Sequence, residues 1–436
     1  MIQTIDLRGL QPSPAELLAV VPRASTDVSV ALEVAAQLID DVRDRGEHAL
    51  LDQAERLDRV RPESIRVPQS HIDEAVAQLD PAVHEAVLET IRRVRLASAA
   101  QVPPAVTTVL APGAEIAQRW QPVGRVGLYV PGGKAVYPSS VVMNVVPAQT
   151  AGVRSIALAS PPQAAFGGRV HPTILAVAGL LGVTEIYAMG GAGAVGAFAY
   201  GVASIGLDPV QMVTGPGNVY VAAAKRLIRG QAGIDAEAGP TDILVIADSS
   251  ANAELVAADL VSQAEHDELA ATMLVTPDAK LAASVEKELV RLAASTTHSE
   301  RVTAAITGSQ SAIVLVDDVA AAAAFSNAFG PEHLEIHTTD DDAVLSLIEN
   351  AGAIFLGEYS PVSLGDYSAG SNHVLPTGGQ ARFSAGLSAS TFLRPQQVVR
   401  YSREALAEVH ANVRALSDAE ALPAHGDAVA ARFAEK

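Results

Sequence analysis

The polar and apolar positions of this chain change rhythm twice. From Thr26 the apolar residues Val28, Leu32, Ala35, Leu38, Ile39 and Val42 recur at spacings of three and four, with Asp40, Asp41 and Arg43 between them. That period predicts an amphipathic helix. Gly46 interrupts it and a second helix follows through Ala49 to Leu57. A longer helix is predicted from Asp80 to about Ala100, its charges Glu85, Glu89, Arg92 and Arg93 on one face. His48, His71 and His84 lie among these helices and read as surface or packing residues. Residues 1 to about 23 are short and proline-punctuated, and read as an arm.

From Arg125 short apolar runs replace the long helical period. Val126–Val130, Ser155–Ala159, Glu185–Met189 and Val210–Val213 read as strands, alternating with helical runs such as Thr173–Leu181 and Asn218–Ile228. Such alternation predicts a parallel sheet with right-handed crossovers. A second series opens at Asp242–Ala247 and continues with Thr272–Val275, Ile313–Val316, Leu334–His337 and Ala353–Leu356. The fold class is therefore α/β, with two similar open, mostly parallel, Rossmann-like sheets and helical extensions at both ends. Residues 24–124 and 242–385 are assigned to one α/β domain, 125–241 to a second, and 386–436 to a helical tail that reaches a partner subunit. Ligands of open parallel sheets bind outside the carboxyl ends of the strands, which places the site in the crevice between the two.

Composition narrows the function. The 436 residues carry a net charge of −19, which disfavours nucleic acid or an anionic membrane as partner. There is no cysteine, so disulfides, thiolate metal sites and a cysteine nucleophile are excluded. No apolar run approaches the ~20 residues that cross a bilayer, and the N-terminus has no basic segment before an apolar one. A cytoplasmic location is expected.

Candidate chemistry concentrates in a few stretches. Gly330-Pro331 ends a helix and delivers Glu332 and His333 to the start of a strand, where a carboxylate and an imidazole are suited to acid/base work. Gly191-Ala192-Gly193-Ala194-Val195-Gly196 matches the dinucleotide fingerprint between a strand and a helix, although Asp208 is the only acidic residue near the offset for ribose binding. Gly132-Gly133 and Gly215-Pro216-Gly217-Asn218 are further glycine-rich turns whose backbone N–H groups suit phosphates. Gln263 and His266 are three apart on a helix predicted from Glu254 to His266, while Asp366 and His373 follow in loops. With sulfur absent, His and Asp are the donors a zinc site would use, and spacing alone does not single out Gln263. Taken singly, each of these groups is better explained as a turn or a surface side chain.

Together, and in this order, the stretches resemble the histidinol dehydrogenase family. The likeness runs from Val42-Arg43-Asp44-Arg45-Gly46 through Gly127-Leu128-Tyr129-Val130-Pro131-Gly132-Gly133, Gly215-Pro216-Gly217-Asn218, Ser262-Gln263-Ala264-Glu265-His266 and Gly330-Pro331-Glu332-His333-Leu334-Glu335-Ile336 to Asn372-His373-Val374-Leu375-Pro376-Thr377-Gly378-Gly379. The resemblance implies an NAD-dependent homodimer with one zinc ion per subunit. Its reaction is the oxidation of L-histidinol to L-histidinaldehyde and then to L-histidine. It implies Gln263, His266, Asp366 and His425 as zinc ligands and Glu332 with His333 as the acid/base pair. Thr241, His373 and Glu420 would join His333 and the ligands around the substrate, and Tyr129, Gly193 and Asn218 would line the NAD cleft. Glu420 and His425 would come from the other subunit. Gly193 stands where the family commonly has a glutamine, and Thr241 where a serine is common. The alternatives are a related dehydrogenase for another primary alcohol, a zinc hydrolase and a non-catalytic nucleotide-binding protein. Without cysteine the second oxidation must proceed through water added to the aldehyde.

Overall fold

The computed structural model describes residues 2–23, 28–132, 136–237 and 239–434. Thr26 and Gly133, named above, lie outside them.

Two parallel sheets organise the chain. The larger has six strands in the order β1 (Gln3–Asp6), β11 (Ala312–Leu315), β10 (Ala271–Thr276), β9 (Asp242–Ala247), β12 (His333–His337) and β13 (Ala353–Leu356). All five pairings are parallel. The central strands Asp-Ile-Leu-Val-Ile-Ala and Ala-Thr-Met-Leu-Val-Thr are buried at every position, because helices cover both faces. The smaller sheet runs β6 (Ile186–Ala188), β5 (Ser155–Ser160), β4 (Arg125–Tyr129), β7 (Met212–Thr214) and β8 (Gly233–Ile234), again all parallel. β1 lies in the segment expected to be an arm, yet it forms the edge of the six-stranded sheet, with Gln3 opposite Ala312.

The helices of residues 24–124 do not join the six-stranded sheet as expected. Ala31, Ala35 and Ile39 of the helix Val28–Arg45 share a core with Val195, Phe198 and Val213. Ile72, Val87, Ile91 and Val94 share another with Val126, Leu128 and Val145. Small residues make the first contact close: a Cβ at Gly196 would lie 3.1 Å from Ile39. Periodicity identifies the buried stripe of such a helix but not the sheet it covers.

A third, antiparallel sheet of β14 (Leu393–Tyr401), β3 (Ala114–Pro122) and β2 (Val106–Ala111) was not anticipated. Its segments mix polar and apolar residues, and Val106, Val109 and Val399 remain exposed. They lack the apolar runs that mark the buried strands. The helix Arg403–Ala419 follows β14, and Pro423–Ala430 ends the chain's regular structure.

Candidate active site

The side-chain chemistry converges at the amino ends of β9 and β12, not at carboxyl ends as expected for this sheet. The helix Val319–Phe329 is stopped by Gly330, which takes a φ of +59° that suits glycine. Pro331 turns the chain, and β12 begins at His333, opposite Ile243 of β9. The Glu332 N–H donates to Asp242 Oδ1 at 2.7 Å, and the Asp242 N–H donates back to Glu332 Oε2 at 3.1 Å. Both residues are more than nine-tenths buried. Burial and mutual repulsion push the Asp242 carboxyl up to about 7. Burial likewise raises Glu332 to about 7, against the hydrogen bonds it accepts from Thr241 and Asp242.

His333 Nδ1 lies 3.0 Å from the Asp242 carbonyl oxygen. A carbonyl only accepts, so Nδ1 carries the proton and Nε2 keeps its lone pair. Burial lowers the pKa of this ring, so it stays neutral further into acid than a free histidine. Asp242 thus braces both Glu332 and His333, a role its sequence position in Gly239-Pro240-Thr241-Asp242 did not reveal.

A hydrogen-bonded chain orients Gln263. Thr241 Oγ1 donates to Glu332 Oε2 at 2.5 Å and accepts from Gln263 Nε2 at 2.5 Å. Because the hydroxyl proton is used on the carboxylate, the amide must present nitrogen to Thr241. Gln263 Oε1 is left buried without a partner. His266 does not share the helix with Gln263 as predicted, because the helix ends at Ala264. The His266 N–H donates to the Gln263 carbonyl at 3.2 Å in the turn that follows. Asp366 lies in a short helix, Val362–Tyr367, where a loop was expected. Its Oδ2 is 3.8 Å from His266 Nε2. Burial opposes charge on both, yet each stabilises the other's ionised form, so the histidine's pKa is raised and the carboxyl's lowered. An unpaired amide oxygen, an imidazole and a carboxylate are a donor set that fits zinc.

His373 closes the seam between the two parallel sheets. Its Nδ1 donates to the Asp366 carbonyl at 3.0 Å, and its Nε2 accepts from Ser140 Oγ at 3.0 Å. Ser140 belongs to the helix Pro138–Ala151, which packs on the five-stranded sheet. Glu420 and His425 are exposed on the C-terminal helical arm, and the structure does not bring them to these residues within one chain. A cavity of about 270 Å³ meets the site only at Thr241 and Asp242, and neither Glu332 nor His333 lines it.

The five-stranded sheet does present its carboxyl ends. Tyr129 closes β4, and its buried hydroxyl accepts the Gly191 N–H at 3.2 Å. Gly215 follows β7 with φ +121°, and a Cβ there would sit 2.0 Å from the Tyr129 carbonyl oxygen. The turn is held from behind by the buried ion pair of Lys225 with Asp235: Lys225 Nζ donates to the Gly215 carbonyl at 2.9 Å, and the Gly215 N–H donates to Asp235 at 2.9 Å. Asn218 caps the helix Val219–Leu227, accepting the N–H groups of Tyr220 and Val221 at 3.0 and 3.2 Å. The turns at Gly191 and Gly215 thus meet at Tyr129, where the nucleotide cleft is expected, with the N–H groups of Gly191, Gly215, Tyr220 and Val221 already bonded within the protein. Gly193 is buried, and a Cβ at that position would lie 2.1 Å from Gln53 Oε1. Asp208 is not at this cleft, since its carbonyl accepts from Arg125 at the start of β4.

The profile of the histidinol dehydrogenase family matches residues 21–433. The chain belongs to the histidinol dehydrogenase family. It is 66% identical over 435 residues to the histidinol dehydrogenase of Leifsonia xyli subsp. xyli, covering 100% of both chains. It is 57% identical to that of Thermobifida fusca, covering 99% of this chain and 98% of the relative. The crystal structure of histidinol dehydrogenase from Elizabethkingia anophelis superposes with a TM-score of 0.93 at 30% identity, covering 99% of this chain and 98% of that one. Membership makes the chain an oxidoreductase with NAD and zinc as the family's cofactors. Among the described residues no helix is long and apolar enough to cross a membrane. The described residues also hold a second group with metal-ligand chemistry, Asp259, Glu335 and His337.

Proposed function

We propose that this chain carries out the NAD-dependent, four-electron oxidation of L-histidinol to L-histidine through L-histidinaldehyde, as a cytoplasmic homodimer. The observation that carries the reading is the ordered chain from Gln263 through Thr241 to Glu332, which leaves one buried amide oxygen free in the site of His266 and Asp366. Those three residues, with His425 of the partner subunit, would hold the zinc ion. When bound, zinc would supply a template that orients the substrate, and NAD would supply the hydride acceptor for each oxidation.

The protein's own groups handle protons. His333 Nε2, left bare by the Nδ1 bond to Asp242, takes the hydroxyl proton in the first oxidation. Glu332 spends Oε2 on Thr241 and Asp242, so Oε1 is the oxygen that draws a proton from water as the water adds to the aldehyde. Burial raises the pKa of this carboxyl, which suits it to take up and release a proton. His333, its first proton released to solvent, then takes a hydroxyl proton of the hydrate as the second hydride leaves. Tyr129, Asn218 and the Gly193 backbone line the NAD cleft, while His373 and the partner's Glu420 hold the substrate. A dimer is also supported by the exposed apolar residues of the arm: Val399, Leu416 and Leu422 are 63%, 65% and 45% exposed.

The test is the amount of NADH formed per L-histidinol consumed by the purified protein, before and after chelation and after zinc is restored. Two NADH per substrate, lost with the chelator and regained with zinc, supports the reading. Turnover of a different alcohol, with none of L-histidinol, contradicts it.

A further inference from the structure

Side chains two apart on a strand share a face, so Glu335 and His337 lie behind His333 on the same side of β12. On the neighbouring helix Ala253–Ala264, Asp259 lies one turn before Gln263 on the same side. One ligand atom each of Asp259, Glu335 and His337 falls within 4.8 Å of the others. Glu335 is fully buried and His337 is 5% exposed. Glu335 divides its oxygens between two directions. Oε1 accepts the N–H of Val362 at 2.7 Å, and Val362 is the first residue of the short helix that carries Asp366. Oε2 lies 3.4 Å from His337 Nε2, and neither atom has a hydrogen-bond partner elsewhere. Gly365 completes the clamp, since a Cβ there would sit 2.5 Å from the Phe355 ring, so the short helix lies directly on β13.

We propose that Glu335 is a positioning residue for the metal ligands. It ties the helix of Asp366 to the strand that carries His333. The Val362 bond fixes the first residue of a helix of 6 residues, which is too short to be stable by itself. Glu335 itself touches neither substrate nor metal. This rests on the zinc reading of Gln263, His266 and Asp366.

The experiment is zinc affinity by chelator competition, together with amide exchange of residues 362–367 in the metal-free protein. The variants are Glu335→Ala, Glu335→Asp and Glu335→Gln. Loss of such a supporting bond typically weakens metal binding about 10- to 100-fold. That loss is expected for Glu335→Ala, and for Glu335→Asp, which keeps the charge but not the reach. Both should also speed exchange at residues 362–367. Glu335→Gln keeps an oxygen for the Val362 N–H and should bind zinc within about threefold of the parent. If Glu335→Ala does not fold, the aspartate and glutamine variants decide. Parental zinc affinity in Glu335→Asp, or equal weakening in Glu335→Gln and Glu335→Asp, overturns the proposal. So does a second zinc equivalent in the parent that Glu335→Gln lacks, which would make the cluster a metal site itself. His266→Ala separates the two readings: if it retains parental zinc affinity, the ligand assignment fails independently of Glu335.

Discussion

The two parallel sheets handle their ligands in opposite ways. The five-stranded sheet offers backbone: Gly191 and Gly215 at the carboxyl ends of its strands, helix N-termini, and the Asn218 cap. The six-stranded sheet offers buried side chains at the amino ends of β9 and β12, where Asp242, Glu332 and His333 are held by one another. At the first, glycine conformation fixes how closely the backbone turns approach one another. Proton transfer needs single groups with shifted pKa values, so burial and neighbours decide the second. Damage to one sheet should therefore appear in a different kinetic parameter from damage to the other.

The largest effect is expected for His333→Asn. Nδ2 of the asparagine can still donate to the Asp242 carbonyl, but the base is gone, and kcat should fall by roughly 10²- to 10⁴-fold for both alcohol and aldehyde. Steady-state rates with each substrate, beside unchanged zinc content, check this. Gly215→Ala probes the other sheet. Its added Cβ meets the Tyr129 carbonyl, and a non-glycine residue at φ +121° costs about 1–3 kcal/mol. The KM for NAD should rise at least about tenfold and Tm should fall, with zinc affinity unchanged; equal loss of zinc would break the comparison.

Gly193→Gln is the smaller steric test. A glutamine there should destabilise this chain by about 1–3 kcal/mol, because Gln53 fills the space. Denaturant unfolding of this variant and of its combination with Gln53→Ala, which should recover the loss, checks the claim. The smallest effect concerns pH. Burial and the Glu335 charge push the Asp259 carboxyl up to about 7. Its proton is held more tightly folded than unfolded, so the stability it contributes is present below the unfolded range near ~4 and is lost as pH rises through about 7. Asp259→Asn removes that loss, and the Tm of the metal-free variant should decline less between pH 5 and 8 than the parent's. An unchanged slope would contradict the shift.

What was legible before the fold was known follows the same division. Strands buried on both faces, such as Asp242–Ala247, announce themselves as apolar runs, and the glycine turns that follow β4 and β7 stand out by composition. The mixed segments of β2, β3 and β14 do not, because an exposed sheet needs no apolar run. β1 is only 4 residues long, too short for its pattern to stand out from the proline-punctuated segment around it. Glu332 and His333 are legible as a pair at the start of a strand, and the fold keeps them there; the general rule that ligands meet carboxyl ends is what fails for this sheet. Asp242 was read as the first residue of a strand, and only the fold shows it holding Glu332 and His333 through 90 residues of sequence separation. Gln263 needed the family resemblance, since nothing in its spacing marks an amide as a ligand. The orphaned oxygen that supports the role appears only in three dimensions.

The division of labour between His333 and Glu332 is tested most directly by Glu332→Gln in a single turnover with limiting L-histidinol. The account predicts one rapid equivalent of NADH, then a slow second equivalent, with L-histidinaldehyde trapped by a carbonyl reagent in the interval. Equal slowing of both equivalents, with no aldehyde to trap, would contradict it.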